Sequence, residues 1–120
     1  MPIQKLIDTL SLLCPKVIEQ GSMARDEQYP VRLFTFWNPE TRDTKHYDNT
    51  ANCVEWVVDV NFYSTDHADV YAMLSEAIAA LRAAGWTISG EGHAVVSDHA
   101  THTGRGFTAV YPEYQRGVQR

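Results

Sequence analysis

Residues 52–63 read Asn-Cys-Val-Glu-Trp-Val-Val-Asp-Val-Asn-Phe-Tyr, with Val54, Trp56, Val58, Val60 and Phe62 at every second position. Glu55, Val57, Asp59, Asn61 and Tyr63 stand between them. A period of two sends alternate side chains to opposite faces of a strand, so one face is wholly apolar and the other mixed. The β-branched and aromatic content suits a pleated, half-buried surface. At ~3.3 Å per residue the alternating run spans roughly 33 Å, long for a strand. It is read as the central strand of the fold.

The segments on either side supply the partners that such a strand needs. Ile3, Leu6, Ile7, Leu10, Leu13 and Cys14 recur at helical spacing between polar residues, which predicts an amphipathic helix of about three turns. Pro2 suits its first turn and Pro15 stops it, leaving Cys14 at or beyond its end. Residues 16–19 are a short candidate strand, residues 20–30 a loop, and residues 31–37, apolar and aromatic on both faces, a well-covered strand. Asn38-Pro39-Glu40-Thr41 is turn chemistry, followed by a polar stretch to Thr50.

After the central strand, Ser64-Thr65-Asp66 offers N-cap side chains. Val70, Leu74, Ala77, Ile78 and Leu81 then mark one face of a helix from about Asp66 to Ala84, and Gly85 stands where a left-handed C-cap is expected. At 1.5 Å per residue that helix is about 28 Å long and can lie along the central strand. Strands are expected at 86–88, 94–96 and 107–111, with a turn at Gly90 and Gly92; Pro112 stops the last strand and residues 113–120 form a loose tail. The order predicts one α+β domain over residues 1–112, a mostly antiparallel sheet with two helices packed on one face. Trp56 and Val58 are expected to be buried against the helix carrying Leu74, Ile78 and Leu81.

Bulk properties narrow the class. The chain has 120 residues, enough for one core, and its 44% hydrophobic and 21% charged residues argue against wholesale disorder. A net charge of −5 disfavours a surface that coats nucleic acid. No apolar run approaches the ~20 residues of a membrane helix, and Asp8 and Thr9 interrupt any signal-peptide pattern, so a cytosolic site of synthesis is expected. Cys14 and Cys53 then read as reduced, small core residues rather than a redox pair.

Catalytic patterns are weak. Asp98, His99 and His102, with His93 nearby, are metal-ligand types, but an H-x-x-H in a Ser/Thr/Gly-rich loop lacks the rigid helical spacing of a zinc site. Neither cysteine has a nucleophile signature, and Glu55 beside Cys53 would raise its pKa. Gly104-Arg105-Gly106 has no following helix to make an anion site. Glu55, Asp59 and Asn61 share a strand face at about 7 Å spacing, suitable for paired carboxylates, yet a polar exposed or subunit-facing strand face accounts for them as well. No cofactor is expected.

Five blocks read together are more specific: Phe34-Thr35-Phe36-Trp37-Asn38; Tyr47-Asp48-Asn49; Trp56 with Val60-Asn61-Phe62-Tyr63-Ser64-Thr65-Asp66; Leu81-Arg82-Ala83-Ala84-Gly85-Trp86; and Ser97-Asp98-His99-Ala100-Thr101-His102-Thr103-Gly104-Arg105-Gly106. Together, over roughly residues 30–112, they resemble small tail-completion and tail-terminator proteins of long-tailed bacteriophages and prophages. The resemblance implies a virion structural protein without catalysis. It would form a homo-oligomeric ring, usually a hexamer, between the tail-tube protein and the head-connector protein, with DNA passing through unbound and no membrane involved. A head-closure or adaptor role in the same neck is the neighbouring reading, and a small metal-binding hydrolase the reading from a different class.

On the resemblance, Asn38, Tyr47, Asp48, Asn49, Asp98, Thr101, His102, Thr103, Gly104 and Arg105 are candidate subunit or partner contacts. Asp98 and Arg105 are the charged candidates for an intersubunit pair, the alternative being that Arg105 pins its own loop. Gly104 and Gly106 would allow close backbone approach or positive φ. Dialysed protein is accordingly expected to hold no stoichiometric zinc. Zinc that is retained, and then lost in a His99→Ala/His102→Ala double variant, would restore the metal reading.

Overall fold

A computed structural model describes residues 2–20, 30–43, 52–97 and 100–115. Eight elements follow in chain order: α1 (Pro2–Ser11), β1 (Val17–Glu19), β2 (Arg32–Asp43), β3 (Asn52–Ser64), α2 (His67–Ala83), β4 (Thr87–Ile88), β5 (His93–Val95) and β6 (Thr103–Gln115). The strands form a six-stranded sheet in the order β1-β2-β3-β6-β4, with β5 also paired to β6. β1 runs parallel to β2, and every other pairing is antiparallel. This is the expected α+β class.

β3 is central, as its alternation requires. Val58, Val60 and Phe62 are fully buried beneath the helices, where they meet Val70, Leu74, Ala77, Ile78 and Leu81 of α2 and Leu6 and Leu10 of α1 in one continuous core. Phe34 of β2 joins them, its ring centroid 4.7 Å from that of Phe62. The helix boundaries follow the capping chemistry. Asp66 accepts a hydrogen bond from the Ala68 N–H at 3.0 Å and caps α2. At the far end Gly85 has φ +104°, the Trp86 N–H reaches the Leu81 carbonyl and the Gly85 N–H reaches that of Arg82. Those two bonds and the left-handed glycine make a Schellman cap. α1 ends at Ser11, and the Leu13 and Cys14 N–H groups both return to the Leu10 carbonyl before Pro15.

Four expectations need correction. Residues 38–41 are not a turn: β2 passes through them to Asp43, and the register with β3 shifts between Trp37 and Glu40. Pro39 has no N–H to give, but β1 covers only Phe34–Phe36, so among the described residues no strand faces the proline on that side, and it sits inside a bulge. The last strand starts earlier and ends later than expected. It takes in Thr103, Gly104, Arg105 and Gly106 and continues past Pro112 to Gln115, so the loose tail does not begin at residue 113. Pro112 is tolerated because β4 pairs only with Ala109 and Val110 on that side. Trp56, finally, is only half-buried. It lies on the helix-facing side opposite Tyr111, and its Nε1–H donates to Glu113 Oε1 at 3.0 Å. Val58 alone of the expected pair is fully buried.

Residues 31–37 are covered less evenly than their composition implies. Leu33 is fully buried although it points away from the helices, and Trp37 on the same side is 47% exposed. Phe62→Ala is expected to cost ~3–5 kcal/mol in chemical denaturation. Trp56→Ala should cost distinctly less, and an equal loss would show that Trp56 belongs to the core.

Candidate interaction surface

Two histidines and two threonines organise the approach to β6. His102 Nε2 lies 2.8 Å from the Pro30 carbonyl oxygen, which can only accept, so Nε2 carries the proton. In the neutral ring Nδ1 then accepts from the Thr101 hydroxyl at 3.0 Å. Thr103 Oγ1 is 3.1 Å from Nδ1 of His67, the first residue of α2. The segment that reads as a loop in the sequence is therefore tied to Pro30, two residues before β2, and to the start of α2.

Arg105 behaves as a pin within its own chain. Its Nη2 donates to the Gly92 carbonyl at 3.0 Å, and its guanidinium sits over the Tyr71 ring, 4.8 Å from the centroid. The contact joins the β4–β5 connection to α2. Tyr71 is 59% exposed, so the pair also forms part of the outer surface. Gly104 and Gly106 have no positive φ; they serve close approach instead. A Cβ on Gly104 would lie 2.6 Å from Tyr63 Cε1, and the Asn61 side chain occupies the corresponding place at Gly106. Both side chains cross the strand where a larger residue would stand.

The sequence-derived candidates do not form one site. Thr101, His102, Thr103, Gly104 and Arg105 are contiguous. Asn38 sits in the β2 bulge, two strands from β6 and level with Val58 and Ala109, about 13 Å along the strand axis from Arg105 at ~3.3 Å per residue. Tyr47, Asp48, Asn49 and Asp98 fall outside the described residues. Among the described residues no group of three or more His, Cys, Asp or Glu side chains is placed to hold a metal ion, and no helix is long and apolar enough to cross a membrane.

Sequence reasoning missed Trp37, Tyr71 and His67. Tyr71 falls next to the apolar stripe of α2, a position that the helical period assigns to its flank. On the face of the sheet away from the helices, Asp59 accepts from Thr108 Oγ1 at 2.8 Å, and Trp37 is its register neighbour on the other side. No protein-family model matches this chain, and no curated protein matches it either.

One ion pair locks the start of β2 to α2 beside this surface. Arg32 Nε and Nη2 reach Asp69 Oδ2 and Oδ1 at 2.8 and 3.1 Å, a two-pronged contact, and Arg32 also lies over the Phe62 ring. Hydrogen bonding from Arg32, helped by Ser64 and opposed by partial desolvation, holds the Asp69 carboxyl below its usual range. A depressed carboxylate stabilises the fold above its unfolded pKa of about 3.9 and loses that contribution as pH falls through the folded value. Arg32 stays charged throughout and adds no slope of its own. Stability is expected to decline below about pH 5, and Asp69→Asn should flatten that part of the profile. An unchanged slope in Asp69→Asn, followed by chemical denaturation, would remove Asp69 from the acid response.

Proposed function

We propose that this protein is a structural component of a bacteriophage or prophage tail, which completes or terminates the tail as a homo-oligomeric, hexamer-type ring at the head–tail joining end. It contacts the tail-tube protein on one side and the head connector on the other, and carries out no catalysis. The observation that carries the reading is the segment from Thr101 to Gly106, the most specific block of the resemblance. It folds as the ordered entrance to a long strand, braced by His102, Thr103 and Arg105. The exposed apolar side chains support a contact role: Val96, directly after β5, is 89% exposed, and Leu12 87%. The net charge of −5 suits a pore that lets DNA pass, because like charge repels phosphate.

The test is assembly. Purified protein, alone or added to tail tubes, is expected to form closed rings in light scattering and negative-stain microscopy. Val96→Asp should leave melting of the subunit within about 0.5 kcal/mol of wild type, as surface changes do, while the rings are lost. Protein that neither closes into rings nor caps tail tubes would refute the assignment.

A further inference from the structure

The helices cover one face of the sheet, and the other face carries a row of polar and aromatic groups that crosses three strands. Trp37 of β2, Asp59 of β3 and Thr108 of β6 are successive register partners on that face. Trp37 is 47% exposed. Thr108 Oγ1 donates to Asp59 Oδ1, which fixes the carboxylate; the second oxygen has no protein partner among the described residues. Beyond Thr108 the row opens into a cleft of about 320 Å³ between β4 and β5, lined by Thr87, Ser89, Glu91, His93 and Thr108.

Among the described side chains the charge on this face is one-sided. Among the strand residues with described side chains, its outward positions include Glu55 and Asp59 but no lysine or arginine. Glu91 adds a third carboxylate at the cleft. Arg42 is the register partner of Glu55 on β2, so the argument rests on Asp59 and Glu91. Adjacent positions on paired strands bring side chains about 5 Å apart. An exposed indole beside an oriented carboxylate is the environment that a guanidinium prefers: its plane stacks on the ring and its N–H groups pair with the oxygens.

We propose that the row Trp37–Asp59–Thr108 is a docking site for an arginine-bearing segment of a partner protein, laid across the sheet face away from the helices toward the Glu91 cleft. The inference does not use the phage reading and fails or stands separately from it. The sheet edges favour this face-on mode, since Pro39 and its bulge on β2 and Pro112 on β6 deny a partner regular strand addition.

The probe is a fluorescein-labelled alternating Arg-Ser peptide, with Lys-Ser and Glu-Ser peptides of the same length as comparators. Anisotropy titrations on the full chain are expected to show binding that weakens as salt rises, and the Trp37 indole N–H resonance should shift with occupancy. Trp37→Ala and Asp59→Asn should each weaken binding by about five-fold or more. Glu76→Gln, which removes one charge from the exposed side of α2, should leave affinity within about two-fold. Asp59→Asn keeps an acceptor for Thr108, so it reads the charge without the fold, and melting curves check both variants. The proposal is overturned if Glu76→Gln weakens binding as much as Asp59→Asn, if the Lys-Ser peptide binds as tightly, or if no peptide binds. It is likewise overturned if Trp37→Ala lowers the oligomeric state in light scattering while peptide affinity is unchanged, because the face then belongs to a second copy of the chain.

Discussion

β3 is paired along one edge from Asn52 to Ser64 and along the other from Val54 to Ser64 except at the bulge, and the rest of the structure depends on that. Its register with β6 runs unbroken from Asn52 to Ser64, and its register with β2 is interrupted only by the bulge. A strand held on both sides cannot slip, because a shift of one residue would put Glu55, Asp59 and Asn61 into the core and expose Val58, Val60 and Phe62. The same strand sets where α2 begins. Ser64 is its last residue and is almost fully buried, its Oγ accepts from the Asp66 N–H, and Asp66 caps the helix. The chain therefore turns from strand to helix within three residues and lays α2 back over the apolar face that β3 has just built.

The other strands protect this centre unequally. β1, β4 and β5 are strips of two or three residues that flank only part of β2 and β6. Where they end, the outer strands carry Pro39 and Pro112, which lack the N–H that an incoming strand needs. A bulge at Pro39 also twists the edge away from regular pairing. Edges blunted in this way resist strand-by-strand aggregation, and the exposed large side chains Trp37, Val96 and Tyr71 lie on the faces and at the β5–β6 end instead.

The parts legible in the sequence were those with a strong period or a specific cap. Val54 to Phe62 announced β3, and Asp66 and Gly85 fixed both ends of α2. The failures have a common origin in residues whose local preference was overridden. Asn38 and Pro39 are turn formers, but pairing of their flanking residues to β3, with no described strand on the other side, allowed a bulge instead. Gly104 and Gly106 read as a loop because glycine lacks strand propensity; β6 needs them there because Tyr63 and Asn61 lie across them. Trp56 shows a different limit. Alternation assigned its face correctly but carries no information on how completely the helix layer covers each position, and Trp56 is only half-buried. The proposed docking row was less legible still, since Trp37, Asp59 and Thr108 are distant in sequence and become neighbours only through two registers.

Arg105 shows how one residue can be structural and still shape an interface. A guanidinium has five N–H donors and two faces. Gly92 takes one donor and Tyr71 covers one face. No acidic side chain among the described residues engages it, so the group is anchored without being neutralised. Removing it would loosen the β4–β5 connection from α2 as well as delete a charge. An effect of Arg105 on assembly therefore cannot be assigned to a lost intersubunit bond until the exposed partner that shares the contact, Tyr71, has been changed separately. Tyr71→Phe keeps the ring under the guanidinium and removes only the hydroxyl, whereas Tyr71→Ala removes the stack and leaves the bond to Gly92. The contrast between the two isolates the surface that the pair presents from the turn that it holds.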